Sequence, residues 1–199
     1  MDMQLLLATF SFALVTSITP GPNNLMLLAS GANFGFRRTI PHMVGIALGM
    51  VVLLLCILAG LGTLFMQFPV AQTALKIVGA AYLLWLAWKI AFAPVGELKG
   101  KETAQPMTWW QALLFQFVNP KAWMMALSAV SSFTLAGEQY WLSGLALVGV
   151  FAVVNLPSVS VWAGFGVGIQ HCLSSAQRQR YFNGIMGFLT ALTILMMVY

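Results

Sequence analysis

Two proline-containing stretches interrupt an otherwise apolar chain and carry most of its candidate binding chemistry. The first is "TPGPNN" at 19–24, and the second is "NPK" at 119–121. Proline has no N–H and disfavours helical geometry in the residue before it, so a helix is expected to open at each stretch. The carbonyls that such a break frees must face other helices or a wet cavity, because lipid cannot hydrate them. The two stretches therefore predict exposed polar backbone inside an apolar protein.

A small zwitterion bound at these breaks would need a partner for each of its two charges, because the site has a low dielectric constant. Lys121 lies about 18 Å along its helix from Trp109, near the middle of a ~30 Å hydrocarbon core, and is predicted to bind a carboxylate with the N–H groups of the half-helix that follows. The ammonium would lie on asparagine side chains and on the freed carbonyls, which are those of Thr16, Ile18 and Gln116.

The predicted substrate-binding set combines both stretches with a third polar interruption, "VVNLPSVSVW". It comprises Thr19, Pro20, Gly21, Pro22, Asn23, Asn24, Gln116, Asn119, Pro120, Lys121 and Asn155. Two alternatives remain open. Prolines also kink membrane helices for packing alone, and a lysine can reach water through a cavity and only stabilise the fold.

Composition places these residues in a membrane. Of the 199 residues, 60% are hydrophobic and only 7% are charged, against about 25% charged in ordinary soluble domains. Nine Lys and Arg against four Asp and Glu give a net charge of +5, but they do not form the clusters that nucleic-acid binding requires. The start "MDMQLLLATF" has no positively charged region, so the first apolar segment is expected to stay in the protein.

Cutting the chain at charges and at Gly/Pro clusters leaves six segments of about the 20 residues that a spanning helix needs. They are residues 5–30, 41–66, 70–90, 109–132, 142–166 and 183–199. The expected fold is an all-α integral membrane protein with six transmembrane helices, of which the first and fourth are broken by proline.

The loops between these segments alternate in charge, which predicts an orientation. The first, third and fifth loops hold or adjoin the basic residues, and the second and fourth hold none. Because short loops rich in Lys and Arg stay cytoplasmic, both termini are expected to face the periplasm. The basic residues concerned are Arg37, Arg38, Lys89, Lys99, Lys101, Arg178 and Arg180.

The two proline motifs also suggest an internal repeat within one transmembrane domain, 1–199. Repeat one would cover about 1–92, a cytoplasmic link about 93–108, and repeat two about 109–199. Each half then has three spans and a broken first span, and an odd number of spans makes the halves inverted. Inverted repeats with paired broken helices are typical of secondary transporters that bind substrate near the midplane.

Four stretches occur in a specific order: "TPGPNN", "GFRRT", "GAAYLLWLAWK" and "FVNPKAW". With the chain length and the six predicted spans, they resemble the LysE family of bacterial amino-acid exporters, which includes the lysine and the homoserine/threonine exporters. "TSITPGPNN" and "AAYLLWLAWK" look most similar to the members that export cysteine and O-acetylserine. The resemblance covers essentially the whole chain. It implies alternating-access export of small amino acids across the inner membrane, driven by the proton gradient.

The chain departs from its relatives in the second span. Several of them carry an Asp after a Gly-x-x-x-Gly pattern, whereas here Met50 follows Gly45 and Gly49. Because no carboxylate lies in a predicted span, a buried carboxylate relay cannot couple transport, and a neutral amino acid suits the site better than lysine or arginine. His42, predicted at the cytoplasmic mouth, is either a titrating group or an interfacial hydrogen-bonding residue. The two glycines are expected to permit close helix packing.

The remaining patterns argue against chemistry on covalent bonds. No Ser/His/Asp or Cys/His set falls at one depth, so no catalytic site, metal or cofactor is predicted. A membrane thiol carrier would place a cysteine near each proline break, and Cys56 and Cys172 lie elsewhere. An intramembrane enzyme and a structural subunit without transport activity remain as alternatives. Glycine-rich helix faces are compatible with a homodimer.

Overall fold

The computed structural model describes residues 2–95 and 105–195, and this part of the chain forms helices without a β-strand. The α-helices are α1 (Met3–Ile18), α2 (Pro22–Phe34), α3 (Phe36–Leu58), α4 (Leu61–Gln67), α5 (Pro69–Ala91), α6 (Trp109–Phe115), α7 (Pro120–Phe133), α8 (Tyr140–Gln170) and α9 (Ala176–Leu192). Lys99, Lys101 and the last residue of the predicted sixth span, Tyr199, lie outside the described residues.

Three helical stretches are long and apolar enough to cross a membrane: Phe36–Leu58, Thr73–Ala91 and Gly137–Gln170. A fourth span results if α1 and α2, which are bent by 55° at their break, count as one. The prediction of an all-helical membrane protein is confirmed at this level. Six spans are not confirmed, because α6 and α7 have only 7 and 14 residues on either side of a break, and α9 has 17.

Helix boundaries at the two breaks follow from local capping. Helix α1 ends before Pro20, and α2 begins with Pro22 at its first position, where the missing N–H costs nothing. The second break has the same form: Pro120 opens α7, and the Asn119 side chain caps it by accepting a hydrogen bond from the Lys121 N–H at 3.1 Å. Each proline motif therefore ends one helix and starts the next.

Some helices extend beyond the apolar segments. Helix α3 begins at Phe36, so Arg37 and Arg38 lie in its first turn and not in a loop. Pro41 is inside α3, where the carbonyl it frees belongs to the exposed Arg37. Arg178 and Arg180 likewise belong to the start of α9. Apolarity locates the membrane core, whereas helices continue through the polar layer on either side.

Glycines bring α3 close to α6. A Cβ on Gly45 would meet the carbonyl oxygen of Trp109, and one on Gly49 would meet the Gln116 Cγ at 2.6 Å. The predicted packing role of both glycines is confirmed. The close approach of the two helices also buries Gln116 between α3 and the first break.

Candidate functional site

The two proline breaks, 19–21 and 116–119, meet through Lys121. Its Nζ donates hydrogen bonds to the carbonyl oxygen of Thr19, to Thr19 Oγ1 at 3.0 Å and to the Pro20 carbonyl oxygen at 3.3 Å. These carbonyls lack helical donors because α1 has ended and α2 has not begun. An ammonium from the second half of the chain therefore provides hydrogen-bond donors for the exposed backbone carbonyls of the first half.

A pair of amides joins the same two breaks. Asn23 Nδ2 donates to Gln116 Oε1 at 2.8 Å, and Gln116 Nε2 donates back to Asn23 Oδ1 at 3.3 Å. The same Gln116 nitrogen also donates to the Ala112 carbonyl at 2.8 Å. Gln116 is 1% exposed. Its burial is compatible with membrane depth because each polar atom of the side chain has a partner.

Asn24 stabilises the first break from within. Its Nδ2 donates to the carbonyl oxygens of Ser17, at 2.9 Å, and Thr19, at 2.7 Å. Without Asn24, the Ser17 carbonyl would have no donor among the described residues, and the Thr19 carbonyl would have only Lys121 Nζ. The prediction that Asn24 binds freed carbonyls agrees with this geometry.

The carbonyls that the sequence assigned to a substrate ammonium already have partners. The Thr16 carbonyl accepts from Thr19 Oγ1 at 3.0 Å, and the Ile18 carbonyl accepts from Trp162 Nε1 at 2.9 Å. The Gln116 carbonyl accepts from the Asn119 N–H at 3.4 Å. The carbonyls that hold a cation are instead those of Thr19 and Pro20. A proline removes the helical donor of a carbonyl, but side chains from elsewhere decide whether that carbonyl gains another donor.

A cavity of about 20 Å³, called here the central cavity, lies between the breaks. It is large enough for about one water molecule but not for an amino acid. Seven of the eleven predicted site residues line it: Gly21, Asn23, Asn24, Gln116, Asn119, Lys121 and Asn155. The other four lie beside it, with Thr19 and Pro20 bound to the lysine and Pro22 and Pro120 opening their helices.

Asn155 contributes an acceptor to this cavity. Its Nδ2 donates to Ser17 Oγ at 3.1 Å. Its Oδ1 is buried and has no hydrogen-bond partner within the described ranges, 2–95 and 105–195. Leaving such an oxygen unpaired costs about 1–3 kcal/mol, so a ligand that donates a hydrogen bond here would recover that energy.

Sequence reasoning missed Ser17 and Trp162. Ser17 lies one helical turn before Gly21 and seven residues before Asn24, on the side of α1 and α2 that faces the cavity. Trp162 lies seven residues after Asn155 on α8 and caps the Ile18 carbonyl. Polar or aromatic residues spaced at whole helical turns from the recognised asparagines would have been the signal.

His42 is not at an exposed helix mouth. It is 2% exposed, and within the described part of the chain neither ring nitrogen has a hydrogen-bond partner. The interpretation as an interfacial hydrogen-bonding residue is therefore wrong. Helix α3 begins five residues earlier than the predicted span, which carries His42 inside the protein.

The described residues contain no cluster of three or more His, Cys, Asp or Glu side chains that could hold a metal ion. Cys56 is partly buried, Cys172 is exposed, and neither lines the central cavity. Among the described residues that line this cavity, Lys121 is the one charged side chain. The groups available for binding at this site are one ammonium, several amides and two backbone carbonyls.

Comparison with known proteins identifies one family and several relatives. The family model "LysE type translocator" matches residues 14–199. The cysteine/O-acetylserine efflux proteins of Escherichia coli strain K12 and of Shigella sonnei are both 40% identical to this chain over 162 residues, which is 77% of this chain and 81% of each relative. No solved structure matches the chain.

Proposed function

The chain belongs to the LysE type translocator family, and from this premise we propose that it exports small neutral amino acids or their derivatives, of the cysteine and O-acetylserine class, across the bacterial inner membrane. The relatives named as cysteine/O-acetylserine efflux proteins support the substrate class. They also favour a transporter over an enzyme. The observation that carries the proposal is the Lys121 ammonium held on the carbonyls of Thr19 and Pro20, where the two breaks meet.

Substrate binding exchanges the hydrogen-bond partners of Lys121. The substrate carboxylate takes the Lys121 ammonium from the backbone, because an ion pair with hydrogen bonds is stronger than a bond to a neutral carbonyl. The released carbonyls of Thr19 and Pro20 then accept hydrogen bonds from the substrate ammonium, helped by Asn155 Oδ1. A second cation on the substrate would find no carboxylate among the described lining residues, which disfavours lysine and arginine.

The finer architecture is part of the same proposal. Six spans form two inverted repeats, about 1–92 and 109–199, joined by a link at about 93–108. The matching form of the breaks supports this, since each ends one helix and opens the next with proline at its first position. Alternating access moves the repeats about the breaks and is driven by the proton gradient. Both breaks come from one chain, so the site does not need a homodimer.

Transport itself is tested with inner-membrane vesicles of inverted orientation. Vesicles that contain the protein are expected to accumulate labelled O-acetylserine and cysteine when a proton gradient is imposed, and labelled lysine and arginine far less. Vesicles from cells without the protein provide the baseline. No accumulation of any amino acid in a broad panel would favour the alternative of a structural membrane subunit.

Orientation gives a separate prediction: both termini face the periplasm. Arg37, Arg38 and Lys89 lie near one set of helix ends, together with Arg178 and Arg180, and such residues stay cytoplasmic. Alkaline phosphatase, which is active only outside the cytoplasm, should be active when fused after Tyr199. The matched fusion after Ala93, in the link, should be inactive. The opposite pair of results would reverse the topology.

A further inference from the structure

A second pocket of about 290 Å³ lies between α2, α3, the end of α5 and residues 105–107. Its volume is close to the lower end of the range of about 300–1,000 Å³ for small-molecule sites. The central cavity is more than tenfold smaller. The second pocket is therefore large enough for an amino acid, and an adjoining space of about 250 Å³ shares Leu86, Lys89 and residues 105–107 with it.

His42 is an unsatisfied polar group in the wall of this pocket. The side chain is 2% exposed, and in the described part of the chain both ring nitrogens lack a partner. A buried polar group left in this way destabilises a fold. A buried histidine without hydrogen-bond partners is less favourable than a leucine of similar volume, so a ligand that bonds to the imidazole after a small shift of the ring would stabilise the protein.

Ser30, Asn33, Lys89 and Gln105 are further polar residues that line the same pocket. Thr39 Oγ1 donates to the Gly35 carbonyl, so the Ser30–Thr39 contact of 2.9 Å uses the Ser30 hydrogen and leaves lone pairs on Ser30 Oγ. Lys89 brings a cation, whose Nζ lies 4.7 Å from the centre of the Trp85 ring. The pocket thus combines one cation with neutral donors and acceptors.

The second pocket and the central cavity lie along the same helix faces. On α3, His42 lines the pocket, and Ile46 and Met50, one and two turns later, line the central cavity. On α2, Asn23 lines the central cavity, and Ser30, about two turns later, lines the pocket. Residues four apart share a helix face with a rise of about 6 Å. About one helical turn therefore separates the two spaces.

We propose that the second pocket is a further binding site for the exported amino acid, occupied before the substrate reaches the central cavity. Lys89 binds the carboxylate, and His42 and Ser30 bind the remaining polar groups, while apolar side chains such as Met26 and Leu86 enclose the rest of the molecule. The inference rests on the proposed export function. It adds a site at the basic end of the protein, which the proposed topology places in the cytoplasm.

The test measures ligand protection of an introduced thiol in protein reconstituted in lipid nanodiscs. Ala29→Cys, in a background of Cys56→Ala and Cys172→Ser, places a thiol in the pocket wall. O-acetylserine at about ten times its half-saturating concentration is expected to slow labelling by a small methanethiosulfonate about tenfold. Met107→Cys, on the opposite wall, gives a second reporter if the first variant folds poorly.

The chain offers its own control. Natural Cys172 is exposed and lines neither space, so in a Cys56→Ala protein its labelling should not respond to O-acetylserine. Adding Lys121→Met to the Ala29→Cys protein disables the central site, and protection at position 29 should persist.

His42 itself is tested by a matched pair of variants. His42→Leu is expected to raise the half-saturating O-acetylserine concentration for protection about tenfold, a loss of about 1.4 kcal/mol. His42→Gln, which keeps a donor and an acceptor, should stay closer to the unsubstituted protein. His42→Leu should also keep or raise the melting temperature, because it removes an unsatisfied buried group. A structural histidine would give a lower melting temperature instead.

The outcomes separate this site from the proposed function. Unchanged labelling at positions 29 and 107 in protein that still drives uptake into vesicles would overturn the second site and leave export intact. Protection that disappears with Lys121→Met would also overturn it, because the ligand would then act only from the central cavity. Absence of uptake by the unsubstituted protein would overturn the export function on which the inference rests.

Discussion

Replacing Lys121 with methionine is expected to abolish export while the protein remains at normal abundance in the membrane. Methionine keeps the length of the side chain but removes the ammonium that joins the two breaks and would bind the substrate carboxylate. Hydrogen bonds to a charged group contribute about 1.5–3 kcal/mol each, so losing two of them weakens binding about 100-fold or more. Uptake into inverted vesicles and immunoblots of the membrane fraction measure the two quantities.

Lys76→Met is the matched control for this substitution. Lys76 is exposed on α5 and lines neither cavity, so export should stay near the level of the unsubstituted protein. Transport by the Lys121→Met protein at the unsubstituted rate and affinity would eliminate the proposed role of this lysine.

Gly21→Ala tests the same contact without removing a charge. The Gly21 backbone is extended, a conformation open to any residue, but a Cβ there would lie 2.5 Å from Lys121 Cδ. The lysine must therefore move away from the Thr19 and Pro20 carbonyls, and transport should fall. Gly149→Ala, where an added Cβ meets nothing within 4 Å, should leave transport unchanged.

Replacing Pro20 and Pro22 together with alanine is also expected to abolish export. The restored N–H groups can donate to the carbonyls of Thr16 and Ile18, which Thr19 and Trp162 bind at present. A helix interrupted by proline is less stable by about 3 kcal/mol, so the double variant favours one continuous helix. The carbonyls of residues 19 and 20 would then bond within that helix and release Lys121.

Pro41→Ala provides the control for the double variant. Pro41 lies inside α3 near its exposed start and lines neither cavity, so its loss should change export little. Retained export in the Pro20→Ala/Pro22→Ala protein would show that the two prolines only shape helix packing.

The sequence by itself determined the class of structure and the location of the breaks. Charged residues are too costly in hydrocarbon to be frequent, so a composition with 7% charge identifies a membrane protein. Proline removes a donor wherever it occurs, so "TPGPNN" and "NPK" locate the helix ends at 18 and 115 to within a few residues. Six of the seven predicted site residues that line the central cavity do so because these local rules place them at or beside the breaks, and the seventh, Asn155, is brought there by α8.

Tertiary structure decided which groups pair at those breaks. The sequence showed that carbonyls of α1 must lose their helical donors, but not that Trp162, 144 residues along the chain, would cap the Ile18 carbonyl. It likewise could not show that the Gln116 amide would pair with Asn23, since Gly45 and Gly49 first have to let α6 approach α3. Such pairings depend on distances between elements, which local propensity does not encode.

The depth of His42 was decided in the same way. Hydropathy located the apolar part of the second span, but α3 begins earlier, at Phe36, because helical hydrogen bonding does not require apolar side chains. The packing of α2, α3 and α5 then encloses the imidazole in a pocket wall. The sequence predicts only that His42 lies near a helix end. Its burial, and the absence of a hydrogen-bond partner among the described residues, depend on the surrounding helices.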